Sequence, residues 1–325
     1  MADDNQWSGA EGAPEEPVRE NHTVRNIIIA VLVVALVAVA AVFGVRALRS
    51  GDGEAAKGTP SNPVKIGVVG ATSPQWVVFK QKAEQEHLSV KIVDFQDYTS
   101  ENPALDAGDL DLNEFQHLLY LANYNVKNNK TLRPIGGVAI YPMGIYSAKV
   151  RDVKQIAEGS TVAIPNDETN QARALGVLES AGLIKLKGKW TAFSTPADVD
   201  ASASKVKVTA LKAEQVANAL KDPQVAAGVI NNDYVSDAGL KTTDAIYRDD
   251  ANSASARPYI NVFVARKADV DNPVYRKVVT IFQSKEVLDA LQRKFNGTAS
   301  FATKYSAADL QGFLADIERD AGSAK

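Results

Sequence analysis

Lys65-Ile-Gly-Val-Val69 and Val90-Lys-Ile-Val-Asp-Phe95 are short apolar runs rich in β-branched residues, and the segment between them, Val77 to Glu86, can form a helix. Strand, helix and strand at this spacing open a parallel sheet, because parallel strands need a crossover long enough to hold a helix. The pattern returns in Thr161-Val-Ala-Ile164, a helix from about Asn170 to Ala181 closed by Gly182, then Val206-Lys-Val-Thr209 and Val225-Ala-Ala-Gly-Val-Ile230. Two such units in series predict an α/β protein with two lobes. An extended stretch from Leu132 to Tyr146 lies between the units, and a second, Tyr259-Ile-Asn-Val-Phe-Val-Ala265, follows them. A chain that crosses over and then returns is what a ligand-binding fold hinged between lobes requires. Pro273 to Phe295 carries apolar residues for one or two packed helices, and Leu310, Phe313, Leu314 and Ile317 predict an amphipathic helix over Ala307 to Asp320.

With 325 residues, 45% hydrophobic and 23% charged, the chain can bury real cores and is globular in its bulk. A net charge of −3 gives no field to hold nucleic acid, and no basic cluster alternates with aromatics. The absence of cysteine removes disulfides, thiolate metal sites, Cys nucleophiles and lipidation through an N-terminal Cys. No dinucleotide or P-loop glycine pattern, nucleophile elbow or His-Glu-x-x-His occurs, and the histidines are His22, His87 and His117 alone. Nothing is spaced as a catalytic triad or a cofactor site, so the chain reads as a non-enzyme without cofactor. Asp109, Asp111 and Glu114 lack the glycine and terminal acid of a calcium loop and read as strand-end and turn residues.

Ile27 to Val45 is a run of 19 residues without a charge. At about 1.5 Å per residue a helix of that length nearly covers the ~30 Å of a bilayer core, which predicts one N-terminal transmembrane helix. Ala38-Val-Ala40 also fits a signal-peptide cleavage site, but the length of the run favours an uncleaved anchor. Arg19 and Arg25 before the span and Arg46, Arg49 and Lys57 after it do not decide its orientation. The acidic residues 1–24 read as a disordered tail, 25–47 as the anchor, and 48–63, rich in Gly, Ser and Pro, as a flexible tether before a body starting at Val64.

Two segments carry the chemistry. The first is Asp111-Leu-Asn-Glu-Phe-Gln-His117, continuing to Tyr120 just after an expected strand end at Asp111; on residue type alone, Phe115 and Tyr120 read as core and His117 as a satisfied hydrogen-bonding group. The second is Pro165-Asn-Asp-Glu-Thr-Asn-Gln-Ala-Arg173, which puts Asn170 and Arg173 at a helix start, where free backbone N–H groups and the dipole favour an anion and a guanidinium can grip a carboxylate with two parallel bonds. A third, Val229-Ile-Asn-Asn-Asp-Tyr234, suits either a turn or an Asn facing a crevice at a strand end.

Together these segments resemble the NlpA lipoprotein family, the methionine-binding proteins of bacterial ABC importers. The family pattern Asp-x-Asn-x-Phe-Gln-His-x-x-Tyr-Leu is reproduced from Asp111 to Leu121, and the resemblance runs from about Val64 to Gly297. It implies a two-lobed periplasmic-binding-protein-like fold of type II, with lobe 1 in 64–142 and again in 255–325, and lobe 2 in 143–254. It further implies that Phe115, His117 and Tyr120 line a slot for a thioether, that Asn170, Arg173 and Asn231 hold the amino-acid head group, and that Tyr98 and Tyr141 lie near the cleft. The implied ligand is L-methionine, and the implied partners are an importer permease and its cytoplasmic ATPase, with the large C-terminal body outside the cell and the N-terminal helix in the membrane. The departure from the family is that helix in place of a lipidated Cys. Another apolar amino acid or a methionine-containing dipeptide is the alternative ligand, since one methylene discriminates by only ~1 to 3 kcal/mol. A membrane-anchored sensor is the alternative of another class.

Overall fold

The computed structural model describes residues 55–323. The expected tail and the uncharged run Ile27 to Val45 lie outside them, and no helix among the described residues is long and apolar enough to cross a membrane.

The chain runs β1 (Val64–Val69), α1 (Pro74–Gln85), β2 (Val90–Phe95), α2 (Glu101–Ala107), β3 (Leu112–Glu114), α3 (Leu118–Asn128), β4 (Arg133–Gly137), β5 (Ala139–Ile140) and β6 (Gly144–Tyr146). It continues through β7 (Thr161–Pro165), α4 (Glu168–Ser180), β8 (Lys207–Leu211), α5 (Ala213–Ala219), β9 (Val225–Ile230), β10 (Tyr247–Arg248) and β11 (Val262–Ala265). It ends in α6 (Pro273–Phe282), α7 (Lys285–Lys294), β12 (Ser300–Phe301) and α8 (Ala307–Ser323).

One five-stranded sheet has the order β2-β1-β3-β11-β4, the other β10-β6-β9-β7-β8, and β5 pairs with β12 in a separate ribbon. In the first sheet β1 is parallel to β2 and β3, while β11 runs antiparallel to β3 and β4. In the second, β7 is parallel to β8 and β9, and β6 is antiparallel to β9. The chain therefore passes from the first sheet to the second between Gly137 and Gly144 and returns between Arg248 and Val262.

Each sheet buries its own apolar cluster. Trp76, Phe79, Phe263 and Phe282 meet under the first, with the Trp76 and Phe282 rings 4.9 Å apart. Leu175, Leu178, Ile164 and Val229 fill the second. Helix α6 lies directly on β4 because Gly136 has no side chain: a Cβ there would sit 2.3 Å from Val279 Cγ1.

Three expectations are corrected. Residues 56–63 are not a loose tether: Ser89 N donates to Gly58 O at 2.7 Å and Lys57 pairs with Asp111 at 3.1 Å, so the ordered body starts before Val64. A strand does not end at Asp111 but begins just after it; the Asp111 carboxylate accepts from Lys65 N and Tyr275 Oη, which secures the entry of β3 beside β1. The stretch from Tyr259 is extended only from Val262, because the residues before it, including Pro258, form a 3-10 turn over Ala254–Tyr259.

Candidate functional site

Tyr98, Phe115, His117, Tyr120, Tyr141, Asn170, Arg173 and Asn231 all line one chamber, together with Gln116, Met143, Asn232, Asp233 and Asn261. The walls come from the segments that follow β2, β3 and β9, from the starts of α3 and α4 and from the two passages between the sheets.

The turn from β3 into α3 presents Phe115 and His117, and it is fixed from behind by amides. Gln116 accepts from Asn102 Nδ2 at 2.7 Å and donates to Asn113 Oδ1 at 3.0 Å, while Asn113 donates to Asn102 Oδ1 at 3.0 Å. These three amides are buried, so their mutual bonding specifies one conformation of the turn. The Asn and Gln of the quoted motif thus brace the turn, and Phe115 and His117 on either side of Gln116 line the chamber.

Three rings, Tyr98, Phe115 and Tyr120, form the aromatic wall, and Tyr234 backs it. Phe115 lies 5.9 Å from Tyr98 and 5.7 Å from Tyr120, centroid to centroid, and Tyr98 lies 5.2 Å from Tyr234. Tyr98 Oη donates to Asp233 Oδ2 at 2.7 Å, and Tyr120 Oη donates to the Tyr98 carbonyl at 2.8 Å. Asp233 follows β9 in the second sheet, and Tyr234 beside it packs on Tyr98 from behind, so elements of both sheets support this wall. No local pattern marked Asp233; its only signal was its place two residues after Asn231.

His117 caps α3 through Nδ1, which accepts from Tyr120 N at 3.0 Å. An imidazole accepting at Nδ1 carries its proton on Nε2, and Nε2 lies 3.3 Å from Asn170 Oδ1. Asn170 Nδ2 donates in turn to Asp167 Oδ1 at 3.0 Å. Burial, reinforced by the charge of Arg173, pushes the His117 pKa down to about 3, so the ring is neutral. The N–H of Asn170 is not free for an anion as expected from the helix start: Asp167 caps α4 and accepts it at 3.0 Å.

Arg173 is buried, and part of its fork is occupied. Nε donates to Asp249 Oδ2 at 2.8 Å, Nη2 donates to the Tyr141 carbonyl at 2.9 Å, and the guanidinium lies over the Tyr259 ring at 4.0 Å. The Nε side of the guanidinium is therefore engaged by protein oxygens. Beyond Arg173 an outer groove lies against Trp190, Tyr247 and Tyr259; Gly176 in α4 admits Trp190, whose Nε1 would be 2.7 Å from a Cβ at that position.

At the other end Asp233 lines the chamber, and Glu114 lines a smaller cavity adjoining it. Burial raises the pKa of Asp233, and burial together with Asp233 pushes Glu114 up to about 8. Asn231 Oδ1 is buried without a hydrogen-bond partner. An orphaned acceptor of this kind costs about 1 to 3 kcal/mol unless something donates to it. A buried cation, a vacant acceptor and an aromatic wall in one chamber can hold a small zwitterion with an apolar tail.

The geometry defines a small-molecule-binding protein of the α/β class. Comparison with known proteins narrows this. The sequence model of NlpA lipoproteins matches residues 64–302. A D-methionine-binding lipoprotein MetQ of Yersinia pestis is 38% identical over 241 residues, covering 73% of this chain and 88% of the relative. Among solved structures, a nutrient-binding protein of Burkholderia cenocepacia bound to methionine superposes with a TM-score of 0.68 at 36% identity, over 74% of this chain and 99% of that one. A periplasmic substrate-binding protein of an ABC transporter from Coxiella burnetii gives 0.67 at 36% identity, over 74% and 100%. The chain belongs to the NlpA lipoprotein family.

Proposed function

We propose that this chain is the extracytoplasmic substrate-binding protein of an ABC importer and that it captures methionine in the chamber between its sheets. The observation that carries the reading is the meeting of the Arg173 guanidinium, the His117–Asn170 contact and the vacant Asn231 acceptor against the wall of Phe115, Tyr98 and Tyr120. Arg173 takes the α-carboxylate, Asn231 Oδ1 accepts from the ammonium, and the thioether lies along the rings, where a polarizable sulfur gains from edge contacts. The chamber holds no paired nucleophile and base, so capture involves no covalent step.

The two sheets correspond in this reading to the lobes of a type II binding fold, with lobe 1 in 64–142 and 255–325 and lobe 2 in 143–254. Ligand contacts from both lobes favour closure, and the closed form docks on a permease driven by a cytoplasmic ATPase. The uncharged run Ile27 to Val45 anchors the body to the membrane in place of the lipid that a Cys would carry.

Thermal melting with added amino acids tests the ligand. A ligand that binds only the folded state stabilises it by RT ln(1 + [L]/Kd), about 2.7 kcal/mol at a hundredfold excess over Kd. L-methionine is expected to raise the melting temperature most, with D-methionine run alongside. No shift with either enantiomer, while another amino acid does produce one, sinks the assignment.

A further inference from the structure

Asp249 stands where both passages between the sheets meet. It follows β10, whose partner β6 starts just after Met143. Asp249 N donates to Met143 O at 3.1 Å, and Met143 N donates to Asp249 Oδ1 at 2.8 Å. The remaining oxygen, Oδ2, accepts from Arg173 Nε at 2.8 Å. One carboxylate therefore locks the backbone of the outgoing passage with one oxygen and the guanidinium with the other. Arg173 closes the ring through Nη2 to the carbonyl of Tyr141, on the same passage.

We propose that Asp249 is the positioning residue that sets the chamber's selectivity for an α-carboxylate. An unrestrained arginine offers a carboxylate either its Nε/Nη2 side or its Nη1/Nη2 end. Asp249 occupies the Nε–H, the Tyr259 ring covers a face, and Tyr141 O takes one Nη2 hydrogen, so the Nε side is closed to an incoming anion and Nη1 is left to meet it. Asp249 also balances part of the buried charge of Arg173, which lowers the cost of keeping the guanidinium desolvated. Loss of Asp249 leaves the guanidinium charged but free to turn, and the preference for carboxylate falls although no atom that touches the ligand has changed.

This rests on the methionine reading above, and the test separates the two. Affinities of the full-length chain for L-methionine and L-methioninol, which lacks the carboxylate, are measured by calorimetry for wild type, Asp249→Asn and Asp249→Glu. The Arg173 Nε–H signal is followed by nitrogen-15 NMR for its exchange with water. In Asp249→Asn, methionine is expected to lose about ten- to a hundredfold in affinity and methioninol less than about threefold, as for a charged hydrogen bond coupled to one ligand group. Asp249→Glu is expected to recover part of the ratio, and Nε–H exchange is expected to be slow in wild type and fast in Asp249→Asn. Equal loss of both ligands, or an unchanged ratio, overturns the proposal. If Asp249→Asn does not fold, an Asp249→Glu ratio identical to wild type overturns it. If wild type binds no methionine, the ligand reading fails by itself, and an Nε–H exchange rate unmoved by the substitution then overturns the role of Asp249.

Discussion

His117 Nε2 and Asn170 Oδ1 lie 3.3 Å apart and join the start of α3, which follows the first sheet, to the start of α4, which follows the second. The neutral imidazole donates in this pair, and its other nitrogen is committed to the cap of α3. In the proposed reading His117 therefore bears on the head-group contacts, through Asn170, as well as on the slot wall.

Phe115 and His117 therefore separate on substitution. Phe115→Ala removes ring surface that a long side chain alone can reach, at about 25 cal/mol per Å² of lost burial, so methionine weakens more than alanine or glycine. His117→Ala frees Asn170 and weakens all amino acids together. Calorimetry of three ligands against both variants measures the two ratios, and a parallel loss in Phe115→Ala moves that ring to a structural role.

Arg173→Ala is expected to reduce methionine affinity by about 2 to 5 kcal/mol, the usual cost of removing one partner of a buried charge pair. The same change at a solvated arginine is nearly neutral. Near-wild-type affinity would return the carboxylate to another donor.

Asn231→Ala sets affinity against stability. The substitution deletes a buried acceptor that no protein donor among the described residues satisfies, so the unliganded protein is expected to keep its stability to within about 1 kcal/mol while methionine binding falls at least tenfold. Urea denaturation with and without ligand reads both quantities. A loss of stability without a loss of affinity means that Asn231 supports the strand end only.

Glu114 gives a dependence on pH. Its folded pKa of about 8 stands above the usual 4.5, so the folded state holds the proton more tightly. The stability this contributes is complete below pH 4.5 and is lost as pH rises toward 8. Glu114→Gln mimics the protonated acid. It is expected to match wild type near pH 4.5 and to exceed it at pH 9 by on the order of a few kcal/mol. The His117 contribution, which is lost as pH falls from 6.5 toward 3, is common to both proteins and cancels. Thermal melts that differ equally at both pH values would show that Glu114 titrates normally.

The sequence by itself determined the elements and the local presentation of the site. β-Branched runs with helical crossovers produced the parallel parts of both sheets, since period and burial are local properties of the chain. The motif from Asp111 to Leu121 and the helix start near Asn170 singled out Phe115, His117, Asn170 and Arg173 through the resemblance to the family, since on residue type alone Phe115 reads as core and His117 as a satisfied hydrogen-bonding group. Only the tertiary structure decided what those side chains meet. The Arg173–Asp249 pair spans 76 residues and the Tyr98–Asp233 bond spans 135, and at such separations no spacing rule connects the partners. The docking of residues 56–63 was hidden for a related reason: a polar, Gly- and Pro-containing stretch reads as a tether until Asp111 and the Gly58–Ser89 bond supply long-range partners for it. What the Arg173 guanidinium meets was likewise decided by Asp249 and Tyr141, through contacts that exist only after the chain has crossed between the sheets and returned.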